Sequence, residues 1–151
     1  MVEMAVMCTN IGAYADVLEL QTVPASPAPQ EGEILVDVLA CGIAFPDVLT
    51  VMGKHISKPT PPFALGNEVA GRVKKVGAGV TTFKVGDYCF GTSMTGGARS
   101  EAILGAAHVY NMPEGVDPIK AAGFELNYGR IGPGLWHSTA RQGRAGQGRA
   151  G

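Results

Sequence analysis

Glycine and proline recur too often along this chain for long helices to form. The 151 residues include 22 glycines and 10 prolines, and these two residues are the strongest interrupters of regular structure. Between them lie short apolar segments, several of which alternate apolar and polar residues as half-buried strands do. With 46% hydrophobic residues the chain can still bury a core. The sequence therefore predicts a mainly β fold with short helices and many turns, rather than a helical bundle.

The predicted strands are short and separated by turns. The segment 34–41 is the strongest, because it is almost continuously apolar and so indicates a buried strand. The other predicted strands or extended segments are residues 4–8, 17–22, 69–76, 85–91, 100–104 and 109–113. Short helices are predicted at 45–52 and 117–126, the second with Asp117 as N-cap and Pro118 at its first position.

The net charge and the spacing of the cysteines exclude several classes of function. The net charge of −1 provides no basic field for a nucleic acid, so no specific nucleic-acid partner is expected. The three cysteines (Cys8, Cys41 and Cys89) are odd in number and far apart, which argues against a disulfide framework and a four-cysteine zinc site. Neither a secretory signal nor a run of about 18 apolar residues is visible. We therefore expect no membrane association and a cytoplasmic location.

The composition changes after Tyr128. Residues 130–151 contain four arginines and a repeated Gln-Gly-Arg-Ala-Gly unit, with few apolar side chains to offset the entropy of ordering. We therefore divide the chain into a domain at 1–129 and a Gly/Arg-rich tail at 130–151 that we expect to be disordered. The tail formally matches the dinucleotide fingerprint G-x-G-x-x-G, but it lacks the flanking strand and helix that this fingerprint needs. Its last three arginines, Arg141, Arg144 and Arg149, have no aromatic residues between them, which makes RNA binding a weak alternative.

Three motifs follow one another with characteristic spacing. They are Cys-Gly-Ile-Ala-Phe-Pro-Asp at 41–47, Gly-Asn-Glu-Val-Ala-Gly at 66–71 and Lys-Val-Gly-Asp at 84–87. Together they resemble the catalytic domain of the medium-chain dehydrogenase/reductase superfamily and, within it, the zinc-independent quinone oxidoreductase branch. The resemblance extends over about residues 1–129.

This resemblance implies a GroES-like, partly open β-barrel and a hydride-transfer chemistry. In that branch NADPH reduces a quinone or an α,β-unsaturated carbonyl, and a Rossmann domain follows the catalytic domain. Here one proline and three glycines occur within 129–134, which cannot sustain the helix that leads to the Rossmann domain. We therefore expect a truncated chain without that domain, one that binds no NADPH and is inactive by itself.

The resemblance also implies which residues form the site. Asn67 and Tyr128 are the candidate catalytic residues, the first because its amide can donate to a developing oxyanion. The candidate cofactor-binding residues are Ala44, Phe45, Asp47 and Tyr128. The branch commonly has asparagine where this chain has Ala44, so one amide contact to the cofactor is lost.

Structural alternatives to these roles remain open. Asp47 can cap the short helix that follows it, and Glu68 can make a buried structural hydrogen bond. Zinc-dependent members of the superfamily have a cysteine and a histidine ligand where this chain has Ala44 and Asn67. Neither residue is a credible zinc ligand, so no metal site is expected.

A second function hypothesis is a non-catalytic binding or interaction module derived from the same domain. In the family, C-terminal segments return to complete the catalytic domain. Their absence would expose a sheet edge through which a homodimer could form. Affinity for NADPH separates the hypotheses, because only the enzyme needs it.

Overall fold

The computed structural model describes residues 2–128, which form two antiparallel sheets joined by short helices and turns. The strands are β1 Glu3–Cys8, β2 Leu18–Val23, β3 Glu33–Gly42, β4 Phe63–Ala64, β5 Glu68–Val76, β6 Tyr88–Thr92, β7 Glu101–Gly105 and β8 Val109–Asn111. The helices are α1 Tyr14–Val17, α2 Phe45–Val51, α3 Pro118–Ala121 and α4 Glu125–Tyr128, and a 3-10 turn covers Ala106–His108. The predicted class, mainly β with short helices, is confirmed. The predicted tail at 130–151 and its boundary lie outside the described residues.

The strands form a three-stranded sheet, β2-β1-β4, and a five-stranded sheet, β7-β3-β5-β6-β8. Main-chain contacts from β1 connect the sheets, among them the hydrogen bond from Val6 N to Ala98 O at 2.9 Å and a bridge between Ala5 and Arg99. The sheets are therefore linked by isolated contacts rather than by one continuous ladder, as in a partly open barrel.

β3 lies in the interior of the larger sheet because β5 and β7 pair with its two edges. This explains its nearly continuous apolar sequence. The main core cluster comprises Ile34, Val36, Val69, Val73, Phe83, Cys89, Ala102, Leu104 and Val109. Close packing also explains Gly71 in β5, since a Cβ there would lie 2.3 Å from the main-chain oxygen of Asp37. The sheet thus leaves no room for a side chain at that position.

α2 begins at a buried carboxylate that holds two segments together. Asp47 is 2% exposed. Its Oδ2 accepts a hydrogen bond from Ala44 N at 2.9 Å, and its Oδ1 accepts one from Gly66 N at 3.2 Å. The first bond caps the helix, and the second fixes the turn before β5, where Gly66 has a φ of 103°. Asp47 therefore joins the first two sequence motifs.

Two predicted elements have different limits in the structure. Residues 85–87 belong to the turn before β6 rather than to the strand, because Gly86 has a φ of 98°. The helix predicted at 117–126 is two short helices separated at 122–124. Its start is as predicted, since the Asp117 side chain accepts a hydrogen bond from Ile119 N at 2.9 Å and Pro118 occupies the first turn. The interruption agrees with the low helix propensity of Gly123.

None of the helices within residues 2–128 is long and apolar enough to cross a membrane.

Asp47→Asn is expected to lower the free energy of unfolding by about 1–3 kcal/mol, because the amide NH₂ would face one of the two buried N–H donors. Asp117→Asn is a matched control: this exposed carboxylate accepts one cap bond, and asparagine caps helices equally well. Urea denaturation of both variants measures the difference. If both variants lower the free energy of unfolding by the same amount, the burial of Asp47 does not explain its contribution to stability.

Candidate functional site

A cleft of about 310 Å³ opens where α2, the start of β5, the end of β6 and α4 meet. Its volume lies at the lower end of the range typical of small-molecule sites, roughly 300–1,000 Å³. The residues that line it are Pro46, His55, Asn67, Thr92, Ser93, Met94, Glu125 and Leu126. Polar and apolar groups from four elements thus converge on one space.

Strand pairing places the polar wall of this cleft. Glu68 and Thr92 are register partners at the ends of β5 and β6. One residue further along, Ser93 N donates a hydrogen bond to Asn67 O at 2.7 Å. Asn67, Thr92 and Ser93 therefore all line the cleft. The Ser93 hydroxyl donates to Thr95 O at 2.6 Å, and the Thr92 hydroxyl is hydrogen-bonded to the Glu125 carboxyl group, which leaves the Asn67 amide as the better-placed donor.

Of the candidate catalytic residues, the structure brings Asn67 but not Tyr128 into the lining of the cleft. Tyr128, at the end of α4, is 60% exposed. Its ring stacks on Phe124 at 5.3 Å, and Phe124 makes an edge contact with Phe90 at 6.3 Å. Tyr128 is thus attached to the body of the domain but presents much of its ring to the surface.

The candidate cofactor-binding residues fall into two kinds. Phe45 is 71% exposed, so its ring is available to a ligand. The Asp47 carboxylate is buried and both its oxygens accept main-chain hydrogen bonds, one of them from Ala44 N. The capping alternative for Asp47 is therefore what the geometry shows, and its contact with a cofactor stays a prediction.

Sequence reasoning missed Glu125 as a cleft residue. Its side chain lines the cavity, and burial, followed by the charge of Glu68, raises its pKa above the ordinary value, while His108 and the Thr92 hydroxyl partly offset this. The signal that could have identified it is its position directly after the apolar segment Ala121-Ala122-Gly123-Phe124.

Glu68 is buried to the same degree as Asp47 and also accepts a main-chain hydrogen bond. It is 2% exposed, and its Oε1 accepts from Leu126 N at 2.9 Å. The buried structural hydrogen bond anticipated for this residue is confirmed. It attaches the start of α4 to the start of β5.

The geometry offers no cluster of metal-binding side chains: within residues 2–128 no three His, Cys, Asp or Glu side chains lie together. Burial, and then the charges of Asp47 and Glu68, raise the pKa of Cys41 to about 12. Burial, and then Asp87, raise the pKa of Cys89 to about 12 as well. Both thiols stay protonated near neutral pH, and a protonated thiol is a poor nucleophile and metal ligand.

A larger cavity, of about 610 Å³, lies at the turn before β6 and the segment after β8. Its lining includes Leu39, Tyr88, Asn111 and Glu114. Gly86 and Asp87 of the third motif line it, but none of the candidate catalytic or cofactor-binding residues does. The smaller cleft is the better candidate because Pro46 of the first motif and Asn67 of the second motif both line it.

Comparison with known proteins matches both the fold and the cleft motifs. The sequence model of the alcohol dehydrogenase GroES-like domain matches residues 30–125. Quinone oxidoreductase of Lama guanicoe is 38% identical over 125 residues, covering 82% of this chain and 38% of that protein. Synaptic vesicle membrane protein VAT-1 homolog of Danio rerio is 34% identical over 124 residues, covering 82% of this chain and 25% of that protein. The chain thus spans well under half the length of these relatives.

Solved structures give the same result. The quinone oxidoreductase of Escherichia coli, complexed with NADPH, has a TM-score of 0.70 and 33% identity, over 79% of this chain and 36% of that one. The human synaptic vesicle membrane protein VAT-1 homolog-like protein has a TM-score of 0.80 and 28% identity, over 85% and 41% of the two chains. The family match over residues 30–125, together with these relatives, shows that this chain belongs to the alcohol dehydrogenase GroES-like domain family of the medium-chain dehydrogenase/reductase superfamily, on its quinone oxidoreductase branch.

Proposed function

We propose that this chain is the substrate-side domain of an NADPH-dependent oxidoreductase that reduces a quinone or an α,β-unsaturated carbonyl. The observation that carries the proposal is the cleft at Asn67, which combines hydrogen-bond donors with an apolar lining from Pro46, Met94 and Leu126. A planar carbonyl compound needs both kinds of contact: apolar surface for its ring and a donor for its oxygen.

Asn67 is the residue that we assign to the substrate oxygen. When hydride is added to a quinone or an enone, negative charge develops on the carbonyl oxygen, and a fixed donor that faces this oxygen stabilises the transition state. The main chain of Asn67 is held by the hydrogen bond from Ser93 N, so the backbone that carries its amide is fixed before substrate binds.

The described residues fit one end of NADPH, which supplies the hydride when it is bound. A nicotinamide ring is planar and uncharged in the reduced form, and the exposed ring of Phe45, the Ala44 segment beside the cleft and the exposed ring of Tyr128 offer it surface. Asp47 contributes indirectly, by fixing Ala44 through its carboxylate. These residues orient the nicotinamide end of the cofactor against the substrate.

The pyrophosphate end of NADPH has no comparable site in the described residues. Dinucleotide folds hold it at a helix N-terminus within a parallel βαβ unit, whereas every strand pairing within residues 2–128 is antiparallel. Most of the anchoring of the cofactor is therefore assigned to a separate nucleotide-binding domain. The 151-residue chain alone is inactive in this proposal.

Asn67→Ala is expected to weaken binding of a soluble quinone to the cleft by roughly 2- to 12-fold, which corresponds to one neutral hydrogen bond of about 0.5–1.5 kcal/mol. Duroquinone is a suitable probe because its methyl groups limit reaction with cysteine. Titration of the ¹⁵N-labelled chain should shift the amide signals of Asn67, Thr92, Ser93 and Leu126. Asn111→Ala, in the larger cavity, is the control and should bind as the unaltered chain does. Shifts centred on Asn111 would refute the assignment of the cleft.

The chain alone is expected to show no NADPH-dependent reduction of duroquinone, since residues 2–128 contain no parallel βαβ unit to anchor the pyrophosphate. The assay follows the loss of NADPH absorbance, with an intact quinone oxidoreductase as the positive control. A rate of NADPH oxidation that rises in proportion to the concentration of the chain would contradict this expectation. The quinone titration tests the role of the cleft separately.

A further inference from the structure

α4 is a helix of four residues whose position depends on a contact from a distant strand. Within α4 and its approach, the main-chain bond from Tyr128 N to Phe124 O measures 2.8 Å. The main-chain contact of α4 with a distant strand is the 2.9 Å hydrogen bond from Leu126 N to the buried Oε1 of Glu68, 58 positions away in the sequence. An isolated helix of this length is unstable in water. The Glu68 carboxylate therefore fixes where α4, and with it Leu126, closes the cleft.

A second carboxyl group lies beside this contact. Glu125 is the first residue of α4, and its Oε2 is buried without a hydrogen-bond partner among residues 2–128. An ionised oxygen in that position is costly, because it is buried and no donor among residues 2–128 faces it. The neighbouring charge of Glu68 adds repulsion. A neutral carboxyl at Glu125 avoids both costs.

We propose that Glu125 is a proton-dependent positioning residue: when it is neutral, α4 is held against Glu68 and Leu126 closes the wall of the cleft, and when it ionises, α4 is released. We call the hydrogen bond from Leu126 N to Glu68, together with the Glu125 carboxyl group beside it, the latch. In the latch Glu68 is the hydrogen-bond acceptor, and Glu125 is the group that gains or loses a proton. Opening would remove Glu125 and Leu126 from the cleft wall and widen its mouth. The latch depends on contacts within residues 68–128 and does not require the reaction proposed above.

The direction of the pH dependence follows from the folded state. The pKa of Glu125 is raised above its ordinary value of 4.5, by burial first and by Glu68 second. The closed position of α4 is therefore fully favoured below pH 4.5 and is progressively lost as the pH rises through the raised pKa. The other groups that face Glu125 are Thr92 on β6 and His108 in the 3-10 turn, and His55 lines the same cleft. A charge on His108 favours ionised Glu125, so it opposes the latch.

Hydrogen exchange of the Leu126 amide in the 151-residue chain tests this directly. The protection factor, corrected for intrinsic exchange, is expected to fall roughly tenfold per pH unit above the pKa of Glu125, because release of α4 is linked to the loss of one proton. In Glu125→Gln, which keeps the shape without the charge, the protection factor should not vary with pH. Glu114→Gln removes an exposed carboxylate of the other cavity and should reproduce the behaviour of the unaltered chain.

Two further variants identify the titrating group. Glu68→Gln keeps an oxygen acceptor but removes the charge, so the midpoint of the change should move toward pH 4.5. His108→Gln should retain the transition. The proposal is overturned if Glu125→Gln shows the same pH dependence as the unaltered chain, or if the dependence disappears in His108→Gln. Circular dichroism melting curves check that each variant is folded, and carboxyl ¹³C shifts of Glu125 give its pKa independently of exchange.

Discussion

The antiparallel pairing of β3 with β5 is the constraint on which the cleft depends. Its last register pair joins Gly42 to Glu68, so the chain leaves β3 toward α2 at the same point where it enters β5 from the Gly66 turn. Two motifs that are about 20 residues apart therefore meet. The same point receives the C-terminal helices, because a Cβ on Gly42 would lie 2.0 Å from the Ala122 oxygen. Because residue 42 is glycine, the end of β3, the start of β5 and the chain at Ala122 can lie against one another; a larger side chain would hold them apart.

Buried carboxylates then fix the segments that the pairing has brought together. Asp47 accepts hydrogen bonds from Ala44 N and Gly66 N, and Glu68 accepts one from Leu126 N. A buried carboxylate is costly unless its charge is satisfied by donors, and main-chain N–H groups supply them here. These acids thus use their charge to hold irregular backbone in place. Their presence in the motifs reflects the geometry of the cleft wall as much as its chemistry.

The strands and short helices could be predicted from the sequence, but the contacts between distant segments could not. The alternation at 69–76 and the apolar segment at 34–41 predicted β5 and β3 to within a residue or two, because strand patterns depend on neighbouring residues alone. The resemblance carried by the motifs predicted Asn67 as a catalytic residue; the residue lines the cleft, and its catalytic role stays a prediction. Glu125 was missed because its place in the cleft depends on the distant bond between Leu126 and Glu68. The helix predicted at 117–126 was too long. The N-cap at Asp117 indicates where a helix begins but not where it ends, and the low helix propensity of Gly123 agrees with the interruption.

The charges at the cleft restrict what it can hold. Asp47 and Glu68 are the sequence neighbours of the lining residues Pro46 and Asn67, Glu125 lines the cleft itself, and within residues 2–128 the lining contains no lysine or arginine. A phosphate or carboxylate ligand would be repelled there, whereas an uncharged quinone or a reduced nicotinamide ring carries no such penalty. In the proposed reaction, negative charge that develops on a substrate oxygen would meet these acidic groups, so it would need a donor at short range, the role proposed for the amide of Asn67. A neutral Glu125 lowers this repulsion further, and the protonation state that closes the wall is therefore also the one that best tolerates an oxyanion within it.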